Sequence, residues 1–262
     1  MVDRRRLAAL LDRIGSARVV VAGDFAVDGY WEADMTRSEL SRETPHYCKP
    51  ILAERYSLGA AGNVAANLAD LGCGRVEAVT VIGDDWRGRL MRDLFAVRRI
   101  GTGGVITAVG RFTAAYIKPL LKGYESVTED ARLDFENAGR PAPADAARFI
   151  AALAAAAAGA DAVLLCDQFG RGVFGDVVVK ACVALARRGP AVFIADSRYR
   201  VGAFRGMVLK PNEIEACRAA GVEWRGAASL RRAGAILARR GAGVFITVGP
   251  DGVRHFGREN FH

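Results

Sequence analysis

Tyr56 to Asp85 reads YSLGAAGNVAANLADLGCGRVEAVTVIGDD, and the order of its parts decides the fold. Four small residues, Gly59-Ala60-Ala61-Gly62, lead to Asn63 and straight into an Ala/Leu helix. A β-rich run and a Gly-Asp-Asp turn follow. Small residues let a ligand approach the backbone closely. A helix that starts behind them offers free N–H groups and a positive dipole end. Asn63 adds a side chain that donates and accepts at once, which suits a polyol.

Outward from this stretch an α/β rhythm continues. Leu7 to Ile14 has helical apolar spacing and stops at Gly15-Ser16. Arg18 to Gly23 is a continuous apolar run, the mark of a strand buried on both faces. Helices are expected over 62–71, 86–97, 144–158, 174–188, 213–220 and 227–239. Strands are expected over 76–82, 162–166, 192–195, 207–210 and 244–248. The alternation predicts an α/β fold built on an open, doubly wound, mostly parallel sheet. Two polar, β-like stretches interrupt it, near residues 30–56 and 104–137. They are expected to sit together as a small β lid on a single domain spanning 1–262.

Bulk composition narrows the class. Of the 262 residues, 51% are hydrophobic and 25% charged, as in an ordinary globular protein. The net charge of +8 fits either an Arg-rich soluble surface or attraction for anionic ligands. Basic runs such as Arg4-Arg5-Arg6 and Arg231-Arg232 lack interleaved aromatics, so no nucleic-acid partner is expected. The five cysteines are scattered without a C-x-x-C pair, which argues against a disulfide framework or zinc site and for a reducing cytoplasm. The N-terminus has no signal-peptide pattern, and the apolar windows are too short to span a bilayer.

Parallel sheets bind ligands at the carboxyl ends of their strands. Polar residues cluster at those expected ends: Asp24 and Asp28, Asp84, Asp167, Asp196-Ser197-Arg198, Lys210-Pro211-Asn212 and Thr247. Each has an ordinary alternative as a helix cap or turn residue. Asp28 can accept from two vicinal hydroxyls. Asn212 and Glu215 form N-x-x-E at a helix start. That pair serves either the helix terminus or an oxygen-ligated ion that keeps most of its waters. The first strand is not followed by G-x-G-x-x-G, which argues against a dinucleotide oxidoreductase.

Taken in order, VVVAGDFAVD (19–28), SRETPHY (41–47), GAAGNVAANLADLG (59–72), VTVIGDDWRGRLM (79–91), RLDFEN (132–137), LLCDQFGRG (164–172), ADSR (195–198), LKPNEIEA (209–216) and ITVGPDG (246–252) resemble the ribokinase-like (PfkB) carbohydrate kinases. The resemblance covers nearly the whole chain, and SRETP, RLDFE and D-x-F-G-R-G are most similar to bacterial heptose-phosphate kinases. It implies a sugar or sugar-phosphate substrate held by Asp28, Gly59, Asn63 and Asp167. It implies ATP near Lys210, Asn212, Glu215, Thr247, Gly249 and Gly252, with Mg2+ reached from Glu215 through water. Arg111, Lys118 and the 132–137 run either supply cations to a phosphosugar or are solvated lid charges. A homodimer through the lid is likewise implied by resemblance. Ala60 departs from the family's di-glycine and adds a methyl at the sugar floor.

The resemblance places the catalytic base in a Gly-Ala-Gly-Asp turn beyond Thr247–Gly252, and no such turn occurs before His262. The expectation is therefore an ATP-dependent carbohydrate kinase by family, without appreciable turnover from this chain alone and with its base beyond His262. The alternative is a non-catalytic sugar- or nucleotide-binding protein derived from that fold.

Overall fold

The computed structural model describes residues 3–257. Helix α1 (Arg4–Ile14) precedes strand β1 (Arg18–Gly23). One residue later the chain continues as β2 (Phe25–Asp34). It returns as β3 (Ile51–Ala60) and passes without a break into α2 (Ala61–Asp70). Next come β4 (Arg75–Gly83), α3 (Trp86–Val97), β5 (Gly101–Ala108), β6 (Ala115–Lys122), β7 (Val127–Glu129) and β8 (Leu133–Phe135). The second half alternates α4 (Pro143–Ala157), β9 (Ala162–Asp167), α5 (Asp176–Ala186), β10 (Val192–Ser197), β11 (Val208–Leu209), α6 (Glu213–Ala220), α7 (Ala227–Ala238), β12 (Gly243–Thr247) and β13 (Val253–Phe256).

Among the described residues the strands form two sheets. The large one has the order β13-β12-β11-β10-β9-β1-β4-β5. Its neighbours run parallel except β12 and β13. The small one has the order β3-β2-β6-β7, with β8 also paired to β6. The doubly wound, mostly parallel sheet and the small β lid of the sequence expectation are both present.

Strand β1 shows why the large sheet needs helices on both faces. Val20 and Ala22 pack with Phe149 and Leu153 of α4 and Val178 of α5. Val21, pointing the other way, packs with Ala65 of α2 and with Met91 and Phe95 of α3. Period-two alternation thus sends successive β1 side chains into two cores. Each large side chain fully buried there contributes about 1.5–3 kcal/mol.

Some boundaries differ from the sequence expectation. The lid strand β2 starts at Phe25, because residues 25–27 are buried at the root of the lid and read like core strand. Gly101–Ala108 lies in the large sheet rather than in the second insertion; its glycines hide a half-buried strand. Helix α5 begins at Asp176, because Phe174 is a loop anchor stacked edge-on against Phe149 and Phe204. No helix among the described residues is long and apolar enough to cross a membrane.

Candidate functional site

The junction of lid and large sheet builds the first half of the site. Strand β2 carries Asp28 opposite Ser57 of β3 and Tyr116 of β6. Two residues past Ser57 is Gly59, where a Cβ would fall 2.5–2.7 Å from the Asp28 carboxylate. Only glycine leaves that carboxylate its place. Asn63, in the first turn of α2, hydrogen-bonds Asp28. Burial raises the Asp28 pKa, while Asn63, Lys118 and Arg132 oppose the rise. Asp28, Gly59 and Asn63 are thus brought together, with two lid cations near the acid. Ala61 N–H at the start of α2 donates to the Asp24 carbonyl at 2.9 Å, and with no side-chain cap the next N–H groups of the turn are left open to a ligand.

Asp24, between β1 and β2, plays a different part. It is buried and accepts from the backbone N–H groups of Gln168 (2.9 Å), Phe169 (2.9 Å) and Val173 (2.8 Å). A Cβ on Gly172 would lie 2.2 Å from both carboxylate oxygens, so the D-Q-F-G-R-G loop closes over the acid only with glycine there. Arg140 holds the same loop from outside through the carbonyls of Gly170, Gly172 and Phe174. Burial pushes the Asp24 carboxyl up to about 7, even though the three backbone donors favour its charged form.

Asp167 ends strand β9. Its side chain has no exposed surface. Its Oδ2 accepts from Ser197 Oγ at 2.6 Å and lies 2.9 Å from Arg200 Nε. Through Oδ2 the acid anchors the turn after β10, while its buried Oδ1 has no protein partner. Arg200 became its partner because β9 and β10 pair with Asp167 beside Ser197, a register the sequence does not display.

Above the 168–171 loop lies a cleft of about 280 Å³. Its walls include Arg111, Arg171 and Arg198, with Tyr116, Asn137, Gln168, Phe169 and Tyr199. Arg111 donates to the Gly139 carbonyl at 3.0 Å, and its buried Nε has no protein partner. Burial lowers the Arg111 pKa, against the pull of Asp145 and Asp24. Tyr116 belongs to this cleft and also pairs with Asp28 across the lid strands, so the cleft adjoins the Asp28–Gly59–Asn63 cluster. Another hollow, of about 310 Å³, opens among Arg18, Arg75, Glu77 and the alanines of α4, at the opposite strand ends from those used in parallel sheets.

The remaining strand ends form the second half. Lys210 pairs with Asp196 at 2.9 Å. Asn212 and Glu215 make a reciprocal capping box at the start of α6, at 2.8 and 2.9 Å. Thr247 sits beside Asn212 in a parallel bridge and donates its N–H to the Pro211 carbonyl. Beyond it Gly249 (φ 56°) and Gly252 (φ 84°) make a turn closed by Val248 N–H to the Gly252 carbonyl at 2.9 Å. Among the described residues no group of three His, Cys, Asp or Glu side chains could cage a metal. One carboxylate with one oxygen in a cap fits an ion that keeps its waters, as Mg2+ does.

No family model matches the chain. It is similar to the bifunctional protein HldE of Pelobacter propionicus, with 31% identity over 265 residues, covering 98% of this chain and 52% of that protein. The chain thus spans about half the length of the curated relatives it matches. Among solved structures it superposes on the tetrameric inhibited form of phosphofructokinase-2 from Escherichia coli. The TM-score is 0.70 at 17% identity, covering 93% of this chain and 78% of the other. Arabidopsis thaliana ribokinase complexed with ribose and ATP gives a TM-score of 0.63 at 19% identity, covering 94% of this chain and 76% of that one.

The likeness to these solved structures gives the chain a ribokinase-like fold. On this ribokinase-like frame the site recruits residues that motif reading passes over. Arg140 and Arg200 clamp the 168–174 loop, yet both look like surface arginines in sequence. Arg132 stands in sequence only as part of a charged run. It lies over the Tyr116 ring at 4.7 Å and pairs with Asp134. The position that the resemblance gives to the catalytic base lies outside the described residues.

Proposed function

We propose that this chain carries the sugar-binding and nucleotide-facing surfaces of an ATP-dependent carbohydrate kinase whose acceptor is a sugar phosphate. The observation that carries the proposal is the juxtaposition of Asp28, Gly59 and Asn63 with the cleft of Arg111, Arg171 and Arg198. A carboxylate and an amide suit vicinal hydroxyls, and arginines suit a phosphate dianion. Lys210, Asn212, Glu215, Thr247, Gly249 and Gly252 would face the nucleotide. Glu215 and Asn212 would hold Mg2+ through water, and the ion would neutralise charge on the transferring phosphoryl group. The protein's own part is positioning: Asp28 and Asn63 fix the sugar hydroxyls, and the start of α2 presents N–H groups to developing negative charge.

A second reading, binding without turnover, has its own support. Asp24, Asp28, Asp167 and Asp196 are each engaged by a protein group through at least one oxygen, as suits acids that hold structure. Calorimetry with a sugar-phosphate panel and an ATP-dependent phosphorylation assay separate the two readings. Binding with product supports the kinase, and binding without product supports the second. Asn63→Ala is expected to weaken sugar-phosphate binding by about tenfold; unchanged affinity would remove Asn63 from the site.

Two further features fit this reading. The lid carries exposed apolar residues, Leu40, Tyr47 and Leu52, which a second copy's lid would cover in a homodimer. Light scattering that shows only monomer at high concentration excludes that dimer. The five cysteines are free thiols, which fits a reducing cytoplasm.

A further inference from the structure

The Gly83-Asp84-Asp85 turn shapes more than the start of α3. Asp85 Oδ1 caps the helix through Gly88 N–H at 2.8 Å. Its Oδ2 accepts from Arg87 at 2.7 Å and also from the backbone N–H of Thr113 at 3.0 Å. Thr113 Oγ1 in turn accepts from Gly83 N–H at 2.9 Å. Residues 111–113 are the connection from the large sheet into lid strand β6. One core turn therefore grips the root of the lid.

Arg87 completes the grip. It is 5% exposed, which is unusual for arginine. Its guanidinium carbon lies 4.4 Å from the centre of the Phe135 ring, 5.2 Å from Phe112 and 5.2 Å from Trp86. Phe112 belongs to the β6 root, and Phe135 ends lid strand β8. Asn137 ties these two segments again, accepting from Phe112 N–H at 2.9 Å and donating to its carbonyl at 2.8 Å. Strand β8 follows directly on Arg132, whose charge acts on Asp28 and whose guanidinium lies over Tyr116. A physical chain thus runs from Asp85 and Arg87 through Phe135 to the cation beside the sugar floor.

We propose that Arg87 is a positioning residue: held by Asp85 and stacked on Phe112 and Phe135, it latches β8 and the β6 root to the core and so sets Arg132 and Tyr116 over Asp28. The latch stands on geometry alone. Its effect on ligand rests on the sugar-phosphate reading above. The flat guanidinium matters as much as the charge, because a desolvated cation over an aromatic face gains more than an exposed one, and lysine cannot stack.

Hydrogen exchange of the free chain reads the latch. In Arg87→Met, exchange at Phe112, Thr113 and residues 133–135 is expected to quicken about tenfold, with protection in β1 and β9 unchanged. Arg87→Lys restores a charge for Asp85 and is expected to leave exchange at 133–135 fast. Should Arg87→Met fail to fold, Phe135→Leu keeps the Arg87–Asp85 pair, removes the ring and carries the same expectation at 133–134. Sugar-phosphate affinity of the folded variants is expected to fall about tenfold. Wild-type exchange at the lid segment in the methionine or leucine variant overturns the latch. Full rescue by lysine overturns the stacking basis. Altered exchange with undiminished sugar-phosphate affinity overturns the coupling to the ligand. If the wild-type chain binds no sugar phosphate at all, the sugar-phosphate reading falls, and the exchange data still decide the latch.

Discussion

Ala60 sits at φ 52° and ψ −123°, a conformation that L side chains rarely adopt. It is the hinge between β3 and α2, so the chain accepts strain where the lid strand becomes the helix that carries Asn63. The departure from di-glycine is plain in the sequence, but the strain follows only from the backbone turn. Ala60→Gly is expected to stabilise the fold by about 1 kcal/mol. A rise of about 2–4 °C in thermal midpoint would register it, and a fall would show that the methyl packs usefully. Asp28 and Asn63 were likewise readable as residues. Their hydrogen bond depends on β2 and β3 pairing in register beside the helix start.

At the scale of the element, the loop from Gln168 to Val173 has no regular structure of its own. Its backbone donors need partners, and Asp24 supplies an acceptor to three of them. Asp24→Ala would strand those donors and is expected to destabilise the fold by at least about 2 kcal/mol. The pH dependence has a definite sign. The folded pKa of about 7 lies above the ordinary 3.8, so folding takes up a proton between them. The stability this group contributes is whole below about 3.8 and is lost as pH rises through about 7. Urea unfolding at pH 5 and pH 8 is expected to show this loss in the wild type and its absence in Asp24→Ala. Equal slopes in both would mean that Asp24 stays ionised throughout. The sequence signalled a strand-end acid here. It could not show that the acid's partners lie about 145 residues away along the chain.

Across the whole molecule the net charge of +8 gathers local meaning at the cleft of Arg111, Arg171 and Arg198. Added salt screens exposed charges over about 10 Å at 0.1 M. A sugar phosphate is therefore expected to lose affinity with rising salt more steeply than its unphosphorylated parent. Arg111→Met is expected to cost the phosphorylated ligand about tenfold and the parent sugar little. Equal losses for the two ligands would place the phosphate elsewhere. Calorimetry at two salt concentrations supplies the comparison.

The sequence by itself determined the parallel α/β layering, because a strand buried on both faces must be apolar throughout, and Val19–Ala22 is. It also placed a helix start within one residue of the observed Ala61, because small residues and an asparagine there suit a helix opening. Only the tertiary structure decided what each strand-end acid meets. Asp24, Asp28 and Asp167 all follow apolar strand residues, yet one holds a loop, one meets Asn63 and one lies beneath Arg200. Those fates depend on strand register and on loops returning from far along the chain, and a carboxylate's neighbours across a sheet leave no trace in the order of residues along it.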